Sequence, residues 1–536
     1  SRDYFEIIMH KIRICDNKFR MLAFVKSPIY NLVNDVAHVW VVENGMDKRR
    51  LEVFPSVHSY FQNTFVKTNN FWAFDYEFDL TEQNTFEFYF EIELDGIIYP
   101  TKYWFMPVAV FGNDNSITEY VRENFLISVN DKKIIKLQRI DEDRKAEVED
   151  QNSKRFEKDL YVKKMRRESI AYKKEHRVWL YYDAYTVEKD NGYFQFLNDI
   201  KHDDGIEKYY VVTNKNIYKE KSNLDKFVEF GSEQHKLLYL AAERVFTAYY
   251  GFSTISPFLT ETNEAKYIDI VSFKTIYLQH GVLHAALHTF NSVERCRAEQ
   301  IVVSSKFEIE NYKQNYNYKD DDLICTGMAR YDYINRECVP KKQILYAPSW
   351  RKYLTFSPRA SKWELQTDKL IQSDYFMGIL KFLNNKELSA YLDKNDLELH
   401  VKLHPIIAEQ GSELVSVSCE KIKILKADME VKVEEYCAFI TDFSSYVFDY
   451  ACLNRPIMYY VTDYEQFKSG MNHYKELDLP FEKAFGPLFV NDIDVIRYLN
   501  YLSERKYKPE DLYYHRMEDF FLPLENCAEK LYERII

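Results

Sequence analysis

The chain has 536 residues, a formal net charge of −12, 46% hydrophobic residues and 16% aromatic residues. This length exceeds one hydrophobic core, so we expect roughly two to four folded domains, and the composition excludes a disordered protein. The acidic balance argues against nucleic-acid binding, and no run of about 18 apolar residues is present that could span a bilayer. No signal peptide is recognised, and the missing initiator Met indicates a piece of a longer protein.

The eight cysteines are scattered along the chain without a Cys-x-x-Cys pair. Several of them lie inside apolar runs, which is typical of reduced core residues in a cytosolic protein. We therefore expect no structural zinc site and no requirement for a metal or another cofactor.

Residues 1–130 contain short β-branched or aromatic runs separated by turn signals such as Glu43-Asn44-Gly45 and Asp95-Gly96. About seven strands at this spacing predict an antiparallel, sandwich-like accessory domain. The stretch offers neither an acid and base pair nor a cluster of metal ligands. A module that binds an acceptor or mediates assembly, and a structural lid, are equally compatible with this pattern.

Residues 131–177 are charged and helix-favouring, and they predict a basic helical linker. Between Lys154 and Arg177 ten Lys or Arg residues stand against four Asp or Glu residues, which gives a charge of +6 (10 − 4). A solvated charged helix is one interpretation. The other is attraction to anionic lipid head groups or to a polyanionic substrate, worth roughly 1 kcal/mol per basic residue close to a membrane.

From Val178 onwards, apolar runs alternate with polar segments of helix length, which is the pattern of a doubly wound, mostly parallel sheet. A second series of this kind begins at Gln343. We therefore predict two Rossmann-like domains that face a cleft, residues 178–340 and 341–508, followed by a helical tail over residues 509–536. Ligands in such domains bind beyond the carboxyl ends of the strands, so the residues that directly follow strands are the site candidates.

Several predicted strands end at residues that can move protons or bind anions. His280-Gly281 follows the run KTIYLQ, and a neutral imidazole is the usual general base at neutral pH. Arg351 follows ILYAPSW, and its planar guanidinium matches the geometry of a phosphate. His404 follows LELHVKL, with Lys402 on the same face of the strand. His400 shares that face, but its place at the buried start of the strand favours a core role.

The stretch from Phe439 to Tyr460 has the pattern of a phosphate-binding site. A buried strand ends at Thr441-Asp442, and Ser444 and Ser445 lie where a helix is predicted to begin. Unpaired N–H groups at a helix start, together with two hydroxyl groups, can cradle an anion. The alternative is that Asp442 and Ser444 only cap the helix. The convergence of imidazole, cationic and hydroxyl groups at four strand ends favours an active site for transfer from a nucleotide-diphosphate donor without Mg²⁺.

Five motifs occur in a specific order along the second half of the chain. They are HG-x-x-x-A at His280–Ala285, TG-x-x-R-x-D at Thr326–Asp332, ILYAPSWR at Ile344–Arg351, K-x-HP at Lys402–Pro405 and TDFSSYVFDYACLNRPIMYYVTDYEQF at Thr441–Phe467. Together they resemble the CDP-glycerol glycerophosphotransferase family, the teichoic-acid-type and capsule polyol-phosphate polymerases. Each motif alone is weak, but five in order are strong. The resemblance covers residues 178–536 and leaves the first 177 residues outside.

The resemblance implies a GT-B fold of two Rossmann-like domains. It also implies transfer of a polyol-phosphate unit from CDP-glycerol or CDP-ribitol to the terminal hydroxyl of a polyanionic polyol-phosphate chain, a glycan or a lipid-linked acceptor, with release of CMP. Such enzymes of teichoic-acid or capsule synthesis are cytoplasmic and peripheral on the inner face of the cell membrane. The basic segment 154–177 would there contact anionic lipid.

The resemblance further implies roles for individual residues. His280 would be the catalytic base that deprotonates the acceptor hydroxyl, and His404 a second catalytic group that neutralises the transferring phosphate. The residues expected on the donor side are Arg351, Ser444, Ser445, Lys402, Asp449, Thr326, Gly327 and Arg330. The candidates on the acceptor side are Gly281, His284 and His288.

The sequence departs from the family pattern at two places. A Lys is usual soon after the HG motif, whereas this chain reads HGVLHAALH, with His284 and His288 instead. An Arg-Gly pair is usual downstream, whereas this chain has Lys468-Ser469-Gly470. Both changes fall where donor or acceptor is expected, so the identity of the polyol stays open, as do primase or polymerase behaviour, product length and oligomeric state.

Two other functions are compatible with the sequence. A GT-B glycosyltransferase with a nucleotide-sugar donor would use the same architecture, because a fold does not determine its chemistry. A non-catalytic scaffold would recognise a polymer through residues 1–130 and would not need the polar residues at the strand ends.

Overall fold

A computed structural model describes residues 5–15, 17–26, 38–45, 47–56, 71–99, 101–105, 119–130, 132–184, 189–249, 251–282, 285–286, 291–293, 296, 298–356, 364–427, 429–472, 474 and 476–536. These residues belong to two compact units. The first unit lies within Ser1–Gln279, His288–Val302 and Tyr312–Ile324, and the second within His280–Leu287, Val303–Asn311 and Cys325–Ile536. The five domains drawn from the sequence remain predictions, because this two-part division is coarser.

The strands of the first unit are Phe5–Cys15 (β1), Lys18–Lys26 (β2), His38–Glu43 (β3), Asp47–Leu51 (β4), Val53–Ser56 (β5), Phe71–Asp79 (β6), Thr85–Leu94 (β7), Ile97–Tyr99 (β8), Thr101–Phe105 (β9), Tyr120–Arg122 (β10), Phe125–Val129 (β11), Ile135–Arg139 (β12), Arg177–Tyr182 (β13), Ile206–Val212 (β14), Phe227–Glu229 (β15), Arg244–Thr247 (β16), Lys274–Tyr277 (β17), Gln300–Val302 (β18) and Leu323–Ile324 (β19). Those of the second unit are Gln343–Ala347 (β20), Thr355–Phe356 (β21), Glu364–Leu365 (β22), Glu398–Val401 (β23), Ile422–Ile424 (β24), Ala438–Thr441 (β25), Ile457–Tyr460 (β26) and Leu488–Phe489 (β27).

The helices are Glu142–Lys154 (α1), Leu160–Glu175 (α2), Asn191–Asp199 (α3), Glu233–Ala241 (α4), Phe252–Ile255 (α5), Glu261–Ala265 (α6), Lys306–Asn315 (α7), Thr367–Ile371 (α8), Asp374–Leu383 (α9), Lys386–Asn395 (α10), Pro405–Gln410 (α11), Val447–Ala451 (α12), Tyr464–Lys468 (α13), Asp492–Glu504 (α14), Asp511–Phe520 (α15) and Cys527–Ile535 (α16). Short 3₁₀ turns occur at Lys215–Tyr218, Leu224–Lys226, Asp320–Asp322, Ala329–Tyr333, Lys352–Leu354, Ser412–Leu414, Val433–Glu435 and Phe481–Lys483. Within the described ranges, no helix is long and apolar enough to cross a membrane.

The first 139 residues of the first unit build two sheets that pack through aromatic side chains. One sheet has the order β5-β6-β2-β1-β9 and the other β10-β11-β12-β7-β3-β4, with β8 beside β7. Side chains of β7 alternate between buried and exposed, as expected for a sheet with one face on a core. The ring of Tyr76 in the first sheet lies 4.9 Å from that of Phe88 in the second, and Phe74 lies 5.0 Å from Phe90. Aromatic rings in tilted and edge-to-face contact therefore fill the space between the sheets.

The segment predicted as a helical linker, residues 131–177, is helical only in part. Its first residues form strand β12, which pairs with β7 and β11. The two helices α1 and α2 follow, and Val162 and Met165 of α2 are buried in the core of the first unit. Arg166 of α2 is also buried and forms a double hydrogen bond with Asp269, with distances of 2.8 and 2.5 Å. The segment is thus anchored in the first unit, and only part of its basic charge faces solvent.

The first unit also contains a parallel sheet, as the apolar runs after Val178 predict. Its order is β15-β14-β13-β16-β17-β18-β19, and every neighbouring pair is parallel. The central strand β13 is buried along almost its entire length. Strand β17 lies inside the sheet, and the chain runs from its carboxyl end to Gln279 and His280.

The second unit is built on a six-stranded parallel sheet of the order β24-β23-β20-β25-β26-β27. In chain order this is the 3-2-1-4-5-6 arrangement of a Rossmann-like domain. Ligands of such sheets bind where the strand order reverses, which here is the carboxyl end of β20 and β25. The predicted helical tail forms α15 and α16, and Met517, Phe520 and Cys527 belong to the core behind β25.

Candidate active site

The loops after β20 and β25 are joined at the point where the strand order of the second sheet reverses. Ala347 and Thr441, the last residues of the two strands, are partners in the sheet, and the Thr441 hydroxyl donates to the Ala347 carbonyl at 2.8 Å. Beyond them, the Ser349 N–H donates to both carboxylate oxygens of Asp442, at 3.1 and 3.0 Å. Asp442 therefore connects the two loops. It is not the helix cap that the alternative interpretation of the sequence proposed.

Arg351, predicted to bind a donor phosphate, is buried and paired with protein carboxylates. Its Nη1 donates to Asp442 at 2.8 Å, while Nε and Nη2 donate to the two oxygens of Asp463 at 2.6 and 2.8 Å. The rings of Tyr375 and Phe443 each lie 4.2 Å from the guanidinium carbon. The side chain is 2% exposed, and direct phosphate binding stays a prediction that this geometry does not support. Arg351 instead fixes the loops that surround the site.

Asp463 follows strand β26, and its environment keeps it ionised. Burial disfavours the charge, but the Arg351 guanidinium and the Tyr353 hydroxyl, which donates at 2.8 Å, outweigh burial and hold the pKa of the carboxyl below its ordinary value. Sequence reasoning missed Asp463. A usable signal exists, because Thr-Asp pairs follow the neighbouring strands β25 and β26, as Thr441-Asp442 and Thr462-Asp463.

Trp350 lies between the two anchored residues Ser349 and Arg351, and its ring stacks on the imidazole of His404. The ring centroids are 5.8 Å apart at an interplanar angle of 28°. His404 caps the start of helix α11, where the Ile406 N–H donates to its Nδ1 at 3.4 Å, so the neutral imidazole carries its proton on Nε2. Trp350 is a second residue that sequence reasoning missed, since an aromatic side chain after a strand carries no signal of its own.

Burial lowers the pKa of His404 to about 4, with a smaller contribution from His280, while Asp442 opposes the shift. His404 is therefore neutral at pH 7 in the ligand-free protein. It can donate one hydrogen bond from Nε2, but it does not carry the positive charge that the sequence analysis assigned to it. A nearby dianion would favour the protonated form and raise this pKa.

Lys402 holds a loop and does not face the donor side of the site. Its ammonium group donates to the backbone carbonyls of Lys426, Ala427 and Met429 at 3.3, 3.0 and 2.7 Å. These three bonds use the three N–H groups of the ammonium. These bonds give Lys402 a structural role, and its donor contact stays a prediction that this geometry does not support. His400 bonds to Tyr436 and Glu398 and is partly exposed near the carboxyl end of β23, instead of lying in the core at the buried start of the strand as predicted.

His280, the predicted base, is exposed and is held through its backbone. Its carbonyl accepts a hydrogen bond from Nη1 of Arg330 at 2.5 Å. Nε and Nη2 of Arg330 donate to one oxygen of Asp449 in α12, at 3.2 and 2.8 Å. Arg330 and Asp449 were both predicted at the site. Their ion pair therefore links helix α12 to the backbone of His280. These bonds join Arg330 to Asp449 and to the His280 backbone, which suits a positioning role.

The HG motif lies against Ser445 of the stretch from Phe439 to Tyr460. A Cβ atom at Gly281 would lie 3.1 Å from the Ser445 hydroxyl oxygen and 3.5 Å from Nη2 of Arg330. Only a glycine leaves this approach free of strain. Of the predicted site, the structure therefore brings together His280, Gly281, Arg330, Asp449 and Ser445.

Ser444 and Ser445 precede helix α12 instead of forming its first turn, so the helix begins later than predicted. The N–H groups of Val447 and Phe448 donate to the carbonyls of Ser444 and Ser445 at 3.2 and 3.1 Å, and the Tyr446 N–H donates to the Ser444 hydroxyl oxygen at 3.3 Å. These N–H groups are not open to an anion. Since α12 has five residues, its dipole is also small, and any phosphate cradle here depends on the hydroxyl groups.

The TG-x-x-R-x-D motif has a mainly structural role, apart from Arg330. Thr326 is buried. Gly327 has a φ of +84°, and a Cβ there would lie 2.7 Å from Sγ of Cys527 in α16. The Asp332 carboxylate accepts hydrogen bonds from the first N–H groups of α16, those of Cys527 and Ala528, at 2.8 and 2.9 Å. The motif anchors the C-terminal helix, and the donor contacts predicted for Thr326 and Gly327 are not supported.

Two predicted acceptor-side residues, His284 and His288, lie outside the described residues. Within the described part of the chain, no group of three or more His, Cys, Asp or Glu side chains is arranged to hold a metal ion. The chemistry that the assembled groups offer is an exposed imidazole at His280, a neutral imidazole donor at His404 and hydroxyl donors at Ser444 and Ser445. Such a set can remove a proton from a hydroxyl and donate hydrogen bonds to an anion.

A family model of CDP-glycerol:poly(glycerophosphate) glycerophosphotransferases matches residues 163–536. The minor teichoic acid biosynthesis protein GgaB of Bacillus subtilis is 26% identical over 366 residues, which cover 67% of this chain and 39% of that protein. A teichoic acid poly(glycerol phosphate) polymerase of Bacillus spizizenii is 23% identical over 267 residues, which cover 45% of this chain and 60% of that protein. The chain thus spans less than two thirds of the length of these curated relatives.

One solved structure of the wall teichoic acid polymerase TagF superposes on this chain with a TM-score of 0.50 and 15% sequence identity. The match covers 72% of this chain and 96% of that one. At this identity the likeness concerns the fold alone.

Proposed function

Because the chain belongs to the CDP-glycerol:poly(glycerophosphate) glycerophosphotransferase family, we propose that it transfers glycerol phosphate from CDP-glycerol to the terminal hydroxyl of a polyol-phosphate acceptor, releasing CMP. The observation that carries the proposal is the meeting of the HG motif with Ser445 and with the Arg330–Asp449 pair. These groups come from three of the five family motifs. CDP-ribitol as donor, and a glycan or lipid-linked acceptor, are finer possibilities within the same reaction.

In the proposed reaction, the His280 imidazole takes the proton of the acceptor hydroxyl as that oxygen attacks the phosphorus that carries the glycerol. A new P–O bond forms to the acceptor, and the bond from this phosphorus to the bridging oxygen of the diphosphate breaks. The electron pair of that bond leaves with CMP. General-base removal of the proton supplies about 10²–10⁴-fold of the rate in comparable enzymes.

The other groups act on the charge of the donor. His404 donates from Nε2 to a diphosphate oxygen, and the hydroxyls of Ser444 and Ser445 add further donors. A diphosphate beside His404 favours its protonated form, so donor binding raises its pKa from about 4 towards neutrality. The positive charge that the reaction needs would then be present only when the donor is bound. Arg351 acts indirectly, because it holds Ser349 and Asp442 in place.

We also propose a GT-B arrangement and a peripheral position at the cytoplasmic face of an anionic membrane. What supports the membrane contact is helix α2, where Lys163, Lys164 and Arg167 are exposed and Leu160 is 78% exposed. An apolar side chain among cations suits the interface of a bilayer that contains anionic lipid.

The test of the proposed reaction is release of CMP. The protein is incubated with CDP-glycerol, or with CDP-ribitol, and a short poly(glycerol phosphate) acceptor, and CMP is followed by chromatography. Release that depends on both donor and acceptor supports the proposal. No release with either donor, together with thermal stabilisation by a UDP-sugar, would favour a nucleotide-sugar glycosyltransferase instead.

A further inference from the structure

Gln279, the residue before His280, has a left-handed backbone conformation with a φ of +62°. A residue other than glycine adopts positive φ only rarely, and it keeps this conformation only where its surroundings hold it. Gln279 is 1% exposed and lies just beyond strand β17. The chain therefore changes direction at Gln279, immediately before the imidazole that is the proposed base.

Three hydrogen bonds from three elements hold Gln279. The side-chain amide of Asn191, at the start of α3, donates to the Gln279 carbonyl at 2.7 Å. The Gln279 side chain donates through Nε2 to the carbonyl of Val302 in β18 at 2.6 Å. Its Oε1 accepts from the hydroxyl of Tyr312 in α7 at 3.1 Å. Asn191 and Tyr312 are 0% and 1% exposed, so no water competes at either bond.

Asn191 is itself fixed by the way α3 begins. The Asp183 carboxylate, just beyond β13, accepts from the N–H groups of Gly192 and Tyr193 at 2.8 and 3.0 Å. A Cβ at Gly192 would lie 2.3 Å from the Tyr182 carbonyl oxygen, so glycine permits the helix to start directly on the strand end. The first turn of α3 thus sets the Asn191 amide over the Gln279 carbonyl.

We propose that Gln279 is a positioning residue for His280, and this rests on the proposed function of His280 as the base. The Asn191 bond to the Gln279 carbonyl fixes the peptide plane that carries the His280 nitrogen. The two side-chain bonds of Gln279 keep its backbone in the left-handed region. The direction in which the His280 side chain leaves the backbone is thereby set before substrate binds. Positioning of this kind matters because a displacement of about 1 Å can cost about 100-fold in rate.

Three variants test the proposal in the full chain. Gln279→Gly keeps the positive φ and loses both side-chain bonds, and Asn191→Asp keeps the shape of the side chain and loses its N–H donors. Both should lower kcat about tenfold or more, while KM for CDP-glycerol stays within about twofold. Tyr312→Phe removes only the hydroxyl and should lower kcat by about threefold.

Tyr318→Phe is the matched control. Tyr318 packs against Tyr312 with ring centroids 5.2 Å apart, and its hydroxyl donates to the Asn291 carbonyl at 2.9 Å. It shares the same aromatic cluster and also loses one half-buried hydroxyl bond, but that bond goes to Asn291 and not to Gln279. A drop in kcat in Tyr318→Phe equal to that in Tyr312→Phe would show a general packing effect and would overturn the proposal.

A second measurement does not depend on turnover. Histidine labelled with ¹³C at Cε1 reports the environment of each ring, and a spectrum of His280→Gln assigns the His280 signal. That signal should shift in Gln279→Gly and in Tyr312→Phe but not in Tyr318→Phe.

If the wild type releases no CMP, the proposed function fails, and the spectra alone then test whether Gln279 positions His280. If Gln279→Gly does not fold, Tyr312→Phe decides, and an unmoved His280 signal with unchanged kcat contradicts the proposal.

Discussion

Gly281 and Ser445 approach so closely that a Cβ atom on Gly281 would lie 3.1 Å from the Ser445 hydroxyl oxygen. The two residues come from different family motifs and are 164 positions apart in the chain (445 − 281). Their contact brings the proposed base next to a hydroxyl donor. It follows that the absence of a side chain at position 281 is part of the site.

Gly281→Ala should lower kcat/KM by about tenfold, because the added methyl group displaces Ser445 or the backbone of His280 by a few tenths of an ångström. We expect a small stability cost, since the nearest atoms belong to side chains. The control is Gly251→Ala, whose Cβ would meet only the Thr254 hydroxyl oxygen, at 3.5 Å. Steady-state kinetics of both variants check the prediction, and equal losses in the two would contradict it.

His280→Ala should reduce kcat by about 10²–10⁴-fold, the usual contribution of a general base. Its thermal midpoint should match that of the wild type, because the side chain is exposed. His400→Ala is the control, since His400 lies within strand β23 and its ring bonds to Tyr436 and Glu398. CMP release should persist in His400→Ala. Near-wild-type turnover by His280→Ala would remove His280 from the catalytic role.

His404 makes stability depend on pH in a defined window. The pKa of His404 is about 4 in the folded protein, against 6.5 ordinarily, so the unfolded chain binds more protons between these pH values. The contribution of neutral His404 to the free energy of unfolding is fully present above pH 6.5 and is lost as the pH falls towards 4. The loss is at most about 3 kcal/mol. His404→Gln keeps an acceptor for the Ile406 N–H and does not titrate. Thermal midpoints of the variant should therefore fall less steeply between pH 6.5 and 4, and parallel curves would contradict the shift.

The parallel sheets could be predicted because a strand covered on both faces is a continuous apolar run, as in the buried strand Ala438–Thr441. His280 and Arg330 follow strands β17 and β19 of one parallel sheet and Ser445 follows β25 of another, so the rule that ligands bind beyond strand ends named all three as candidates but did not show that they meet. Strand β12 was missed because polar residues, Lys136 and Gln138, alternate with the buried Ile135 and Leu137. Within a charged segment this short alternation resembles part of a helix.

The roles of Arg351 and Lys402 could not be read from the sequence for a different reason. A cation after a strand is visible in the sequence, but its partner is decided by tertiary packing. Arg351 meets carboxylates that lie 91 and 112 positions away, and Lys402 meets three backbone carbonyls. A ligand phosphate and a protein carboxylate satisfy a guanidinium equally well.

Arg351→Ala should destabilise the second unit by about 3–5 kcal/mol, because two buried carboxylates, Asp442 and Asp463, lose their counter-charge. Lys341→Ala is the control. Its ion pair with Glu435 has a distance of 2.6 Å but is largely exposed, and it should cost about 0–1 kcal/mol. Thermal and urea unfolding of both variants check the prediction. A cost for Arg351→Ala as small as that for Lys341→Ala would show that the buried cluster is not held by its charges.

The exposed cations of α2 give the last prediction. Replacing Lys163, Lys164 and Arg167 by Gln should weaken binding to vesicles that contain phosphatidylserine by roughly two orders of magnitude, at about 1 kcal/mol per basic residue. The matched control replaces three exposed lysines of the second unit, Lys369, Lys386 and Lys394, so that the change in net charge is the same. Co-sedimentation at low and high salt measures both variants, and binding of the wild type should fall as salt rises. Equal weakening in the two triple variants would mean that net charge, and not the surface of α2, determines vesicle binding.

CMP release from CDP-glycerol with a soluble acceptor should be unchanged in the α2 variant, because none of its three residues belongs to the proposed site. A loss of that activity would indicate instead that α2 attracts the polyanionic acceptor.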